Sequence, residues 1–242
     1  MKNKPTPSHK QFLQQLVDCG KQFYERRWMW GTAGNLSVRL KSDPLEIAIS
    51  PSGVNKGQLA VKDLIRVKDS PHPTLSLKGE GQHPQRRRPS PFREKVAEGR
   101  MRVPSAETVI HQAVFRAVPG AGAVFHVHPV FSTLISKLYG HPKEPRALPI
   151  EWFEMMKGVG VNEGENAEVM ILPNWQDVSL VARDLTYYLK TSPKALPVVL
   201  IYNHGLTGWG TTPDQARNHL EIMEYVCEYI YWKRLSENNH KN

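Results

Sequence analysis

Cysteine is almost missing from this chain of 242 residues, which carries only Cys19 and Cys227. That number excludes a disulfide-stapled secreted scaffold, and both thiols read as reduced packing residues of a cytoplasmic protein. Long apolar runs are missing too. Nothing approaches the ~20 consecutive apolar residues of a membrane span, so no membrane partner is expected. Met1 to Lys10 is polar, holds Pro5 and Pro7, and lacks the apolar centre of a secretory signal. No internal repeat is visible. Hydrophobic residues make up 40% of the chain, enough to build the core of one domain spanning residues 1–242.

The formal net charge is +9, a value that invites a nucleic-acid reading. Its distribution argues otherwise. Residues 69–103 hold eight Lys or Arg against four acids, so nearly half of the excess lies in one segment. The same segment carries Pro71, Pro73, Pro84, Pro89 and Pro91, the Arg86-Arg87-Arg88 triplet and no sustained periodicity. Such a stretch inside a compact domain is either a disordered insert or a functional lid, and we read it as the insert. The modest positive remainder suits an enzyme that attracts phosphate esters, and no nucleic-acid partner is expected.

Elsewhere the patterning is regular. Ser8 and Gln11 form a capping box ahead of Phe12, Leu16 and Phe23, predicting a helix to about Arg26. Leu36, Val38 and Leu40, then Leu45, Ile47 and Ile49, alternate with polar residues as half-buried strands do. A helix is predicted from Ser105 to about Pro119, a strand over Ala121 to His128, and a helix after Pro129. A strand at Val169 to Leu172, a helix at Val178 to Leu189 and an apolar strand at Pro197 to Tyr202 follow. The last helix opens on the capping box Thr212 to Gln215, with Pro213 at its first position. The expected fold class is α/β in three layers, a central and mostly antiparallel sheet with helices on both sides.

Phe125-His126-Val127-His128 carries the first chemistry. On a strand, residues i and i+2 share a face, so two imidazoles ~7 Å apart at the backbone can converge on one metal ion. The alternative is a pair of exposed strand histidines. Asn203-His204-Gly205 places a third histidine at the end of the apolar strand, and three neutral histidines with an open fourth position describe a catalytic zinc. His111 competes as third ligand, although a partly exposed helix histidine is the plainer reading there. Ser105 can cap the helix it opens and leave N–H groups for an anion. Glu107 points to the metal or simply favours the helix dipole. The turns Gly34-Asn35-Leu36-Ser37 and Ser50-Pro51-Ser52-Gly53, with Arg39 and Lys56 nearby, offer donors to a phosphate, although turn chemistry alone explains both. Glu154 lies in an otherwise apolar stretch, where a carboxyl acquires a raised pKa and works as a general acid or base; a surface glutamate is the alternative.

Taken together and in this order, the Gly-Asn-x-Ser turn, Ser-Pro-Ser-Gly, Ser-x-Glu, His-x-His and Asn-His-Gly resemble the class II aldolase/adducin family. The similarity covers nearly the whole chain outside residues 69–103. The resemblance implies one Zn2+ per subunit on His126, His128 and His204, and a homotetramer with sites at subunit interfaces. It further implies proton transfer by Glu107 beside the metal, and phosphate contacts at Asn35, Ser52, Gly53 and Ser105. Ala106 stands where the aldolases carry a second serine. Glu154 to Gly158, Gly208-Trp209-Gly210 and Leu172 to Asp177 resemble the family's dehydratase branch, where Glu154 matches an acid/base carboxylate. The implied substrate is a small phosphorylated keto-sugar. A sugar-phosphate aldolase or epimerase, and a non-catalytic adducin-like binding module, are the alternatives.

Overall fold

The structure is a computed structural model and describes residues 8–68, 94–95 and 101–239. Ser8 opens the first helix, α1 (His9–Glu25), its hydroxyl accepting from Gln11 N as the capping box predicts. Two antiparallel strands follow, β1 (Asn35–Ser42) and β2 (Leu45–Ile49), and a third, β3 (Ile65–Lys68), pairs with β2. Most of the expected insert at 69–103 lies outside the described residues. Its described backbone contains a two-residue ladder, β4 (Glu94–Lys95) with β5 (Met101–Arg102). The chain then runs through α2 (Thr108–Ala117), β6 (Ala123–Val127), α3 (Val130–Tyr139), β7 (Arg146–Ile150) and β8 (Ala167–Leu172). It ends with α4 (Val178–Thr191), β9 (Val198–Ile201), β10 (Gly205–Gly210) and α5 (Pro213–Asn239).

Eight strands form one sheet in the order β3-β2-β1-β6-β10-β9-β8-β7. Every pairing is antiparallel except β8 with β9. Side-chain alternation sorts the two faces. Leu36, Val38, Phe125, Val127 and Leu206 face α1, α3 and α5, packing on Leu16, Phe23, Ile135, Leu220 and Met223. Ile47, Ile49, Val124, Val199 and Trp209 face α2 and α4, packing on Ile110, Val114, Phe115, Val181 and Leu185. The three-layer arrangement is therefore the one the alternation predicted. The unpredicted strands β3 and β7 are the sheet's two edges. There Arg66 is exposed, and Pro149 interrupts the amide ladder at no cost to a neighbour.

The core face also sets the stage for the site. Helix α3 begins directly after His128-Pro129, and Pro129 at its N-cap has no side-chain acceptor to offer. Glu224 of α5 fills that role from across the interface. Its carboxylate accepts from Phe131 N and Ser132 N, both at 2.9 Å, closing two of the orphan amides of the α3 N-terminus. Burial pushes the Glu224 pKa up, and the two backbone donors oppose that shift. Replacing Glu224 with Ala leaves those amides buried without an acceptor. The expected loss of unfolding free energy is about 1–3 kcal/mol in urea titration, with Glu224→Gln losing less because its amide oxygen still accepts.

Candidate metal centre

Strand register builds the site. Opposite His126 on β6 stand Asn35 on β1 and Thr207 on β10, so the three side chains form one row on the α2 face of the sheet. His128 follows one step beyond the strand end on the same face. His204 comes from the β9–β10 turn, whose preceding residue Asn203 adopts φ +51°. Two α3 hydroxyls hold that turn: Ser136 Oγ accepts from Asn203 N at 3.0 Å, and Thr133 Oγ1 donates to His204 O at 3.0 Å. Two glycines permit the approach. A Cβ on Gly34, whose φ is +75°, would sit 2.9 Å from His126 O, and one on Gly205 would sit 2.3 Å from Val127 O and 2.8 Å from His128 Cδ2.

The ligating atoms of His126, His128 and His204 all lie within 4.8 Å of one another. His126 Nδ1 is 3.0 Å from Thr207 Oγ1; with Nδ1–H donating there, the Nε2 lone pair is left facing inward. His126 Nε2 and His128 Nε2 approach to 2.8 Å. Burial, with the neighbouring imidazoles adding to it, holds both rings well below the ordinary histidine pKa, so each is neutral. Inward-facing lone pairs on neutral rings are the donor set a borderline divalent cation requires, so the residues present fit a metal ion.

Glu107 completes the first layer. Its Oε1 lies 3.5 Å from both His126 Nε2 and His204 Nε2. Helix α2 begins at Thr108 rather than at Ser105, so Glu107 sits at the cap position, aimed at the histidines. Ser105 serves the turn before the helix, its Oγ accepting from Glu107 N at 3.2 Å. Asn35 ties these residues together, its Nδ2 donating to Glu107 Oε2 and lying 3.4 Å from Ser105 Oγ. Ser52 reaches the same neighbourhood through the backbone. Ser52 N donates to Val103 O at 3.0 Å, and Pro51 bridges Pro104, directly before Ser105.

Three readings from sequence need correction. His111 is no partly exposed helix residue: it is fully buried, with Ser37 and Asn35 on its two nitrogens. Arg39 does not serve the turns, since its guanidinium binds Phe115 O at 2.7 Å and Val118 O at 3.0 Å at the α2 C-terminus. Glu154 is not in apolar surroundings. It opens a short 3-10 turn (Glu154–Val159) whose buried face is taken by Met156 and Val159, which turns its carboxylate outward, 77% exposed and 3.0 Å from Lys157 Nζ. Residues that sequence reasoning passed over are Thr207, Thr133, Ser136 and Glu224, and Ser37, read there as part of a phosphate turn, lies instead in β1 with its hydroxyl on His111. Lys56 also gains definition: it is fully buried, and its Nζ donates to Thr32 O at 3.1 Å and Val54 O at 2.8 Å, tying together the segments that flank the two candidate phosphate turns.

Residues 14–231 match the family model of the class II aldolase and adducin N-terminal domain, and the chain belongs to that family. Curated relatives carry a narrower name. The chain is 35% identical to the methylthioribulose-1-phosphate dehydratase of Microcystis aeruginosa, with 89% of this chain and 92% of that protein covered. It is 38% identical to a bifunctional methylthioribose-1-phosphate isomerase/methylthioribulose-1-phosphate dehydratase from Nocardia farcinica, over 89% of this chain. The match spans only 34% of that two-activity protein. Among solved structures, the L-fuculose-1-phosphate aldolase of Thermus thermophilus shares the fold with a TM-score of 0.64 at 22% identity, covering 94% of this chain and 96% of that one. A sugar-phosphate aldolase from Thermotoga maritima does so at 0.57 and 15% identity, over 94% and 96%. No helix among the described residues is long and apolar enough to cross a membrane.

Neutral buried imidazoles make metal-free protein sensitive to acid. Burial lowers His111 from the ordinary 6.5 to about 4. Above pH 6.5 the folded and unfolded forms bind the same number of protons there. Below it only the unfolded chain gains one, so stability falls as pH drops towards 4. His111 alone accounts for about 3 kcal/mol over that window, at ~1.4 kcal/mol per unit. Urea unfolding of metal-free protein at stepped pH should show this decline, and His111→Gln should flatten it.

Proposed function

We propose that this chain is a Zn2+-dependent hydro-lyase that dehydrates 5-methylthioribulose 1-phosphate to 2,3-diketo-5-methylthiopentyl 1-phosphate in methionine salvage. The observation that carries this reading is the carboxylate of Glu107, 3.5 Å from two of three converging imidazoles. Its reaction class comes from the dehydratase relatives, which the chain matches over most of its length.

The chain's residues divide the work. His126, His128 and His204 would hold the zinc, which when bound supplies Lewis-acid polarisation of the substrate's carbonyl. Glu107 receives the proton from C3. Glu154, assigned on its match to the dehydratase branch's acid/base position and not on burial, gives a proton to the departing C4 hydroxyl, which leaves as water. The resulting enol ketonises to the diketone. Ser52, Gly53, Ser105 and Asn35 bind the phosphate. That contact lies away from the reacting carbons and keeps them in register. We place the enzyme in the cytoplasm as a homotetramer of single-domain chains, with residues 69–103 inserted outside the catalytic framework.

A second reading, a sugar-phosphate aldolase, is favoured by the Glu107 position, because a carboxylate beside the metal also serves carbon–carbon cleavage. The two readings separate on Glu154. Glu154→Gln keeps the shape of the side chain but cannot exchange a proton, so kcat should fall by about 10²–10⁴-fold while zinc content stays at the wild-type level. Product mass must show loss of one water with the carbon chain whole. Dihydroxyacetone phosphate and an aldehyde, or undiminished kcat in Glu154→Gln with loss confined to Glu107→Gln, would assign the chain to the aldolases.

A further inference from the structure

His111 is the one fully buried histidine of the site that does not face the metal position. It lies on α2, one helical turn beyond Glu107 and on the same side, while Asn35 and Ser37 lie two residues apart on the facing side of β1. The two pairs interleave. Ser37 Oγ is 2.6 Å from His111 Nδ1, His111 Nε2 meets Asn35 Oδ1, and Asn35 Nδ2 meets Glu107 Oε2.

The direction of every bond in this chain follows from its last member. Asn35 presents its amide nitrogen to Glu107, whose Oε2 accepts. Its oxygen then faces His111 and also only accepts, so His111 Nε2 must carry the ring proton. A neutral imidazole has one proton, which leaves Nδ1 to accept from the Ser37 hydroxyl. That hydroxyl also lies 3.3 Å from Val124 O, but the shorter contact is to the ring. Burial keeps the imidazole neutral, with its pKa at about 4. Three groups from two elements thus donate in one direction, towards the carboxylate.

We propose that His111 is a positioning residue for Glu107. It fixes the Asn35 amide so that Oε2 is held and Oε1 stays aimed at His126 and His204. The inference rests on the reading of Glu107 as the group that takes the substrate proton. Without the His111 donor, the Asn35 amide is free to rotate and Glu107 loses the contact that sets its angle. Misplacement of a proton acceptor slows the chemical step, while Ser52, Gly53 and Ser105 still hold the phosphate.

The test uses the zinc-loaded full-length enzyme with His111→Phe, which fills the volume and removes the donor, and His111→Gln, whose amide nitrogen can still donate to Asn35 Oδ1. His111→Phe should lower kcat by about 10–10²-fold with KM within about threefold of wild type and zinc content unchanged, and His111→Gln should recover most of kcat. In 15N-histidine spectra of wild type, the His111 signals should report a protonated Nε2 and a bare Nδ1. Should His111→Phe not fold, the spectra and His111→Gln decide. A protonated Nδ1, or a folded His111→Gln as slow as Glu107→Gln, overturns the proposal. So does wild-type kcat in folded His111→Phe while Glu107→Gln is inactive. Full activity in Glu107→Gln instead overturns the underlying assignment of Glu107.

Discussion

The antiparallel register of β1, β6 and β10 is the constraint on which everything else in this protein depends. It sets Asn35, His126 and Thr207 side by side on one face. A slip of one residue in β6 would send His126 into the α1/α5 core and bring Phe125 or Val127 to the polar face. The register is held because Ala123, Phe125 and Val127 are completely buried on the opposite side. The apolar face of the strand therefore positions the ligands on its polar face. Packing and chemistry are two sides of the same five residues.

Around that row, each further group arrives by a different route. His128 extends the strand by one step, and α3 is anchored directly behind it by the Glu224 carboxylate. His204 comes from the tip of the β9–β10 turn, where α3 hydroxyls fix the backbone. Glu107 comes from the cap of α2, on the opposite layer from α3 and α5. The site thus draws on both helical layers and three central strands. It lies at one end of the sheet, where strand ends and helix starts leave polar groups unpaired by regular structure. Such positions suit a reacting centre, since side chains there are held by rigid elements without being enclosed by them.

Much of this was legible in the sequence, and the misses share a cause. The His-x-His spacing and the apolar strand before His204 identified the three histidines because period-two alternation is a local property. The Ser8 and Thr212 caps were legible for the same reason, with Gln11 N on Ser8 Oγ and Gln215 N on Thr212 Oγ1. Contacts that depend on which strands become neighbours were not. Nothing in Thr207 or Ser37 announces a partner on β6 or α2. His111 read as a partly exposed helix residue because its burial depends on β1 passing beneath the helix. Glu154 failed in the opposite sense: its apolar neighbours are real, but Met156 and Phe153 take them into the core and leave the carboxylate outside. The β10 segment, rich in glycine, showed no strand periodicity, although all six of its residues are buried between β6, β9 and α5.

Metal stoichiometry tests the central claim most directly, because the sheet register and three converging imidazoles together define a single ion site. Elemental analysis of purified, active protein should give one divalent ion per chain. His126→Ala and His204→Ala should each lose that ion and the activity, while retaining the wild-type circular dichroism spectrum. Active protein without metal, or a full complement of metal in folded His126→Ala, would contradict the account.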